Sequence, residues 1–151
     1  MAENIWRDQF LLARVKYPYQ FRRVTVPELW DESAWMSIVV ATCEQIDEIL
    51  TSDAKESFAW SQIKEKYGGL RMYFEGQAKR VDIFTPTRLY SYWEPNIWPT
   101  THWTQRAHQV ALVAEKRSRT VCYVCGNPGG LRTHLPRLLT VCPLHGDWDG
   151  A

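Results

Sequence analysis

The chain has 151 residues, about the size of one domain and long enough to bury a core without disulfides. Apolar residues make up 45% and charged residues 23%, which excludes wholesale disorder. Lys plus Arg number 18 and Asp plus Glu 17, so the net charge of +1 excludes a strongly basic or polyacidic protein.

Eight Trp, seven Tyr and five Phe stand out: such a chain has a heavily aromatic core or keeps rings for contact. The first residues, Met1 to Asp8, hold no apolar run of signal-peptide length, and no stretch approaches a membrane span. The expectation is a soluble, cytoplasmic protein with no membrane attachment.

In chain order, Phe10, Leu11, Leu12, Val15 and Tyr17 predict a short element packed on the core and ended by Pro18. Phe21, Val24 and Val26 predict a short strand. Thr25-Val26-Pro27-Glu28 fits a capping box, with Asp31 and Ser33 as competing caps. A helix follows, because Trp35, Ile38, Val39, Thr42, Ile46, Ile49 and Leu50 recur at spacings of three and four. Cys43 lies in that pattern as a small buried hydrophobe. The other face is acidic. Between 28 and 56 the acids Glu28, Asp31, Glu32, Glu44, Asp47, Glu48, Asp53 and Glu56 oppose the single base Lys55, a local charge of −7. That face is either solvated or a docking surface for a basic partner.

Residues 58–66 and 70–75 predict a β-hairpin. Leu70, Met72 and Phe74 alternate with Arg71, Tyr73 and Glu75, and Gly68-Gly69 supplies the turn. Residues 77–103 read as a long loop holding Pro86, Pro95 and Pro99, with one edge strand near 81–84. Its rings Phe84, Tyr90, Tyr92, Trp93, Trp98 and Trp103 either cover the sheet or form a contact surface. A second helix opens at Thr104 and ends near Ser118. Ala107, Val110, Ala111, Leu112 and Ala114 form its apolar side, and Lys116, Arg117 and Arg119 suit its negative end. Thr120-Val121-Cys122 reads as a short strand.

One constellation carries sharp chemistry. Cys122-Tyr123-Val124-Cys125-Gly126 is followed, after sixteen residues from Cys125, by Cys142-Pro143-Leu144-His145. C-x2-C with C-x2-H is the ligand spacing of a tetrahedral zinc site. Gly126 gives the first turn its backbone freedom. Cys122, Cys125, Cys142 and His145 are the predicted ligands, with His134 as the rival fourth. Four protein ligands leave no open coordination position, so the zinc is expected to be structural. The intervening loop, rich in turn formers, could not hold its shape from a core of its own.

Between 106 and 145 the bases Arg106, Lys116, Arg117, Arg119, Arg132 and Arg137 oppose only Glu115, a local charge of +5. Arg117, Arg119, Arg132 and Arg137 are therefore the candidate nucleic-acid-binding set. Enzyme readings find less. Thr133-His134-Leu135-Pro136 faintly resembles an HNH nuclease, but no acid precedes His134 and no second His or Asn follows at suitable spacing. No H-E-x-x-H, Gly-rich phosphate loop or G-x-S-x-G elbow is present, so no enzyme and no small-molecule substrate are predicted.

The segments 62–73 (QIKEKYGGLRMY), Ala114-Glu115 with Ser118, 122–129 (CYVCGNPG) and Leu139-Thr140-Val141-Cys142 resemble a group of small, mostly uncharacterised phage, prophage and bacterial proteins. That group carries a K-E-K-[FY]-G-[GT]-L-R hairpin and a C-terminal C-x2-C-G…L-C-x2-[CH] cluster. The helix bearing Cys43-Glu44-Gln45-Ile46 is similar as well. The chain departs from the group by its long 77–103 segment and by His145 where Cys is common. The resemblance singles out Lys64, Lys66 and Arg71 at the hairpin as a basic ridge for a partner, and implies anti-defence, immunity or regulatory roles.

The expectation is thus a single α+β domain over 1–151. It has two main helices, a small antiparallel sheet centred on 58–75, and a zinc-knuckle module over 120–147, zinc-ribbon or treble-clef-like. The expected function is a non-enzymatic inhibitor-type protein that binds a protein partner. Tyr90, Tyr92, Trp93, Trp98 and Trp103, with Lys64, Lys66 and Arg71, would form its contact surface, and the acidic helix comes second. The alternative is a zinc-dependent nucleic-acid-binding regulator.

Overall fold

A computed structural model describes residues 4–77, 79–94, 102–132 and 138–149. Along them run α1 (Ile5–Lys16), α2 (Met36–Ile49), α3 (Ser52–Ser57), β1 (Trp60–Lys66), β2 (Gly69–Phe74), β3 (Arg80–Phe84), β4 (Leu89–Trp93), α4 (His102–Ser118), β5 (Gly130–Arg132) and β6 (Leu139–Val141). The strands pair as antiparallel hairpins β1–β2, β3–β4 and β5–β6, so the fold is α+β.

Asn4 caps α1 by accepting from the Arg7 amide at 2.8 Å, which satisfies one of the donors a helix start leaves unpaired. Pro18 then opens a 3-10 turn, Pro18–Phe21, in place of the strand expected over 21–26. Phe10, Ala13 and Tyr17 point into the core. Leu11, Leu12 and Val15, expected inside, are exposed, because the three-and-four spacing of the buried set turns them outward. The Thr25–Glu28 box does not open a helix. The Glu28 amide instead donates to the Ile63 carbonyl at 2.7 Å, which lays this segment along β1. Helix α2 begins at Met36 and buries Met36, Ile38, Val39, Thr42, Cys43 and Ile46. The guanidinium of Arg22 gathers the carbonyls of Lys55, Glu56 and Phe58 at the end of α3, at 2.6–2.8 Å.

The β1–β2 turn is Tyr67-Gly68, not Gly68-Gly69. Both have positive φ, 53° and 81°, and Gly69 already begins β2. A Cβ on Gly68 would meet Leu131 Cδ1 at 2.3 Å, and the Gly68 carbonyl accepts from Thr140 Oγ1 at 2.6 Å. The tip of this hairpin is therefore packed onto β5–β6. Within the stretch expected to be a loop with one strand, residues 80–93 form a second hairpin, with Arg80 opposite Trp93 and Phe84 opposite Leu89. Ala107, Ala111, Ala114 and Ser118 line the buried side of α4. Their small side chains bring the helix close to β2, where the Leu70 amide donates to Ser118 Oγ at 2.8 Å.

The core is aromatic at its centre. Phe58 packs on Trp60 at 5.0 Å, on Phe74 at 5.3 Å and on Trp103 at 6.1 Å between ring centroids. The same cluster continues through Cys122, Tyr123, Leu139 and Cys142, so the cysteine segment is built onto the main core. Among the described residues no helix is long and apolar enough to cross a membrane.

Candidate metal centre

The chain after α4 makes a tight turn over 123–125. The Gly126 amide closes it on the Cys122 carbonyl at 3.0 Å, and Gly126 takes a φ of +81°, where a Cβ would press on Ala34 Cβ at 3.2 Å. Position 126 thus needs glycine both for its conformation and for its contact with the residues before α2. The expected strand at 120–122 is reduced to a single bridge between Val121 and Pro128. Hairpin β5–β6 then delivers Cys142, and a 3-10 turn, Pro143–His145, places His145 on the same side.

Cys122, Cys125, Cys142 and His145 converge, with one ligand atom from each lying within 4.8 Å of the others. Cys125 Sγ is 3.6 Å from Cys142 Sγ. His145 Nδ1 is 3.2 Å from Cys142 Sγ and 3.7 Å from Cys122 Sγ. Three thiols and an imidazole are close enough to hold one metal ion. Burial favours the neutral thiol at Cys142, but hydrogen bonds from His145, Cys125 and Cys122 outweigh it and bring Cys142 down to about 6. Burial, with the neighbouring thiols, pushes Cys125 up to about 11. A bound cation would draw off the protons that the thiols keep. Cys43 stands apart: burial pushes its thiol up to about 12.

Tyr123, inside the first cysteine pair, is the anchor that sequence reading missed. Its carbonyl accepts from Ser33 Oγ at 2.6 Å and from the Ala34 amide at 3.1 Å, and its hydroxyl accepts from the Trp30 amide at 2.7 Å. Trp35 Nε1 donates to the Val121 carbonyl at 2.8 Å. No spacing rule signals these contacts, because they join segments about ninety residues apart.

The other predicted site residues separate into groups. Arg71 is not on a ridge. Its side chain has no exposure and its Nη1 donates to Asp82 at 2.6 Å. Lys66 is half-buried and pairs with the same Asp82 at 3.2 Å, while Lys64 is half-buried beside the Glu28 bridge. Trp103 packs into the core against Phe58 and Phe74. Trp93 faces inward, edge-on to His108 at 4.5 Å. Tyr90 and Tyr92 are exposed. Arg132 is buried and donates to the carbonyls of Gly146 and Trp148, which takes it out of a phosphate-facing set. Arg119 is part-exposed and Arg117 is exposed. Trp98, His134 and Arg137 lie outside the described residues.

Compared with family models, curated proteins and solved structures, the chain matches none.

Proposed function

We propose that this is a zinc-stabilised, non-enzymatic protein that works in the cytoplasm by binding a protein partner, in the manner of an inhibitor, immunity or anti-defence protein. The observation that carries this reading is the outer face of hairpin β3–β4. Strand alternation puts Arg80, Asp82 and Phe84 on one face and Val81 and Ile83 on the other. Tyr92 lies opposite Val81 and Tyr90 opposite Ile83. Ile83, Tyr90 and Tyr92 are 45%, 46% and 48% exposed, so two aliphatic and two tyrosine side chains form one outward apolar face. Tyrosines offer large rigid contact area at low entropic cost and are enriched at binding hot spots. Among the described residues β3 and β4 pair only with each other, which leaves strand edges open for a partner.

Zinc is the ion that suits the donor set. Three soft thiolates with one imidazole favour it over oxygen-seeking cations. Zinc–sulfur bonds of about 2.3 Å in a tetrahedron imply sulfur separations of about 3.8 Å. The Cys125–Cys142 separation of 3.6 Å is close to that. Four protein ligands complete the coordination, which supports a structural role. All four cysteines are free thiols, in keeping with a reducing compartment.

Affinity purification against natural host proteins tests the reading. Wild type should retain a stoichiometric partner, and Ile83→Asp with Tyr90→Asp should lose it at unchanged melting temperature and zinc content. Full retention by that variant would refute the assignment of the surface. The nucleic-acid alternative rests on Arg117 and Arg119 among the described residues. A steeply salt-dependent shift of DNA or RNA would favour it, and no shift at low salt would remove it.

A further inference from the structure

The docking reading uses the outer face of hairpin β3–β4, and the inner face supports an independent one. That face leans on β2 and α4 over a set of charged side chains. Arg71, Arg80, Arg119 and Lys66 bring four positive charges, and Asp82 and Glu115 bring two negative ones. Both carboxylates are already engaged. Asp82 holds Arg71 at 2.6 Å, Lys66 at 3.2 Å and Ser91 Oγ at 2.7 Å. Glu115 holds Arg80 Nη1 through one oxygen and Arg119 Nη2 at 3.4 Å through the other.

The donors, by contrast, are in surplus. Among the described residues Nε and Nη2 of Arg71 and Nε of Arg80 are buried with no hydrogen-bond partner, although Arg71 Nε lies 3.9 Å from Glu115 and Arg80 Nε 3.5 Å from Asp82. Among the described residues the Arg119 guanidinium has two hydrogen-bond partners, Glu115 and the Tyr67 carbonyl, each at 3.4 Å. A guanidinium carries five N–H donors, and buried charge is costly unless it is paired. The set carries two more positive than negative charges, a balance that an anion would complete.

An open cleft of about 800 Å³ adjoins the set, lined by Arg80, Arg88, Arg119, Ser91, Tyr67 and Phe84. Three arginines line it, against the single carboxylate of Glu115, which is already paired with Arg80 and Arg119. Tyr67 and Phe84 meet edge to face at 4.5 Å and give the cleft an aromatic wall. Cationic forks suit phosphate oxygens, and rings suit a planar group that stacks. The volume lies within the range of about 300–1,000 Å³ of small-ligand sites.

We propose that this cleft binds a small phosphate-bearing ligand with a planar ring, of the mononucleotide class, its phosphate on Arg80 and Arg119 and its ring on Tyr67 and Phe84. Neither the metal ligands nor the outer face of the hairpin is involved.

Isothermal titration of the full chain with AMP, inorganic phosphate and adenosine tests this. AMP should bind most tightly, phosphate more weakly and adenosine least, with AMP affinity falling as salt rises. Arg119→Gln should cost about tenfold in AMP affinity, the loss of one charge-assisted hydrogen bond. Phe84→Ala should weaken AMP and leave phosphate unchanged. Both side chains are partly exposed, so both variants should keep the wild-type melting temperature. Silence of AMP and phosphate at millimolar concentration would overturn the proposal. So would equal affinity for the two, or AMP binding that neither variant weakens.

Discussion

Ser33 Oγ donates to the Tyr123 carbonyl at 2.6 Å and also accepts from the Trp35 amide at 3.1 Å. One hydroxyl, buried just before α2, thus ties the first cysteine turn to the start of the central helix. The Trp30, Ala34 and Trp35 contacts to Tyr123 and Val121 repeat the tie from neighbouring residues. The cysteine–histidine cluster therefore sits in a clamp that ties the C-terminal segment to the core, and is not an appended finger.

The first prediction concerns that clamp. Cys125→Ala, or exhaustive chelation, should release the 121–145 segment, because metal binding to structural sites is worth about 10–16 kcal/mol in small peptides and total stability is only about 5–15 kcal/mol. Hydrogen exchange should show amides such as Gly126 and Gly129 losing protection first. Native mass spectrometry should show one zinc per chain, lost in the variant. An unchanged melting curve with and without chelator would contradict the clamp.

Ser33→Ala tests the tie alone. It removes two buried hydrogen bonds and leaves the Trp35 amide without an acceptor, so the expected loss is about 1–3 kcal/mol in denaturant unfolding. Ser37→Ala is the control. Its hydroxyl makes one local bond to the Ala34 carbonyl and is half-buried, so its loss should be below about 1 kcal/mol. Equal effects would show that the contact to Tyr123 contributes nothing special.

Much of this was legible in the residue pattern. The period of α2, the place of β2 in a hairpin and the C-x2-C with C-x2-H spacing each reflect a local rule, and each is present in the structure; the half-buried alternation of β2 is not, because Arg71 is buried as well. Hairpin β3–β4 was hidden because it inverts the usual pattern. Its inner face mixes the polar Arg80, Asp82 and Ser91 with Phe84 and Trp93, and its outer face carries the apolar Val81, Ile83, Tyr90 and Tyr92. A charge on a strand reads as solvent-facing, so Arg71 passed for a surface residue. Its partner Asp82 sits eleven residues away on a strand the pattern only half revealed. In α1, Phe10, Ala13 and Tyr17 compete with Leu11, Leu12 and Val15 for the inner face, and only tertiary packing decides between them.

The cysteines should separate by reactivity. Cys43 is fully buried with its thiol pushed up to about 12 by that burial, so it should resist alkylation in the native protein at pH about 8, where only a thiolate reacts. With metal bound, all four cysteines should be protected. After chelation, mass spectrometry should show label on Cys122, Cys125 and Cys142 only. Labelling of Cys43 at the same rate would mean that the core around α2 opens together with the metal centre.

Asp82 sets an acid limit on stability. Burial works to raise its carboxyl, but Arg71, Ser91 and Lys66 outweigh that and hold it well below the ordinary carboxylate range. A lowered acid binds fewer protons folded than unfolded. Its contribution is therefore complete above the unfolded value of about 3.9 and is lost as pH falls below it. Asp82→Asn removes the charge that the fully buried Arg71 pairs with, and breaking one side of such a pair costs about 3–5 kcal/mol. Urea unfolding from neutral pH downward should show that deficit near pH 7 and a gap between variant and wild type that narrows below about pH 4. A gap independent of pH would mean that Arg71 does not depend on the Asp82 charge. Arg71→Met combined with Asp82→Leu should cost less than Asp82→Asn alone, because the fully buried Arg71 charge is then removed together with its partner.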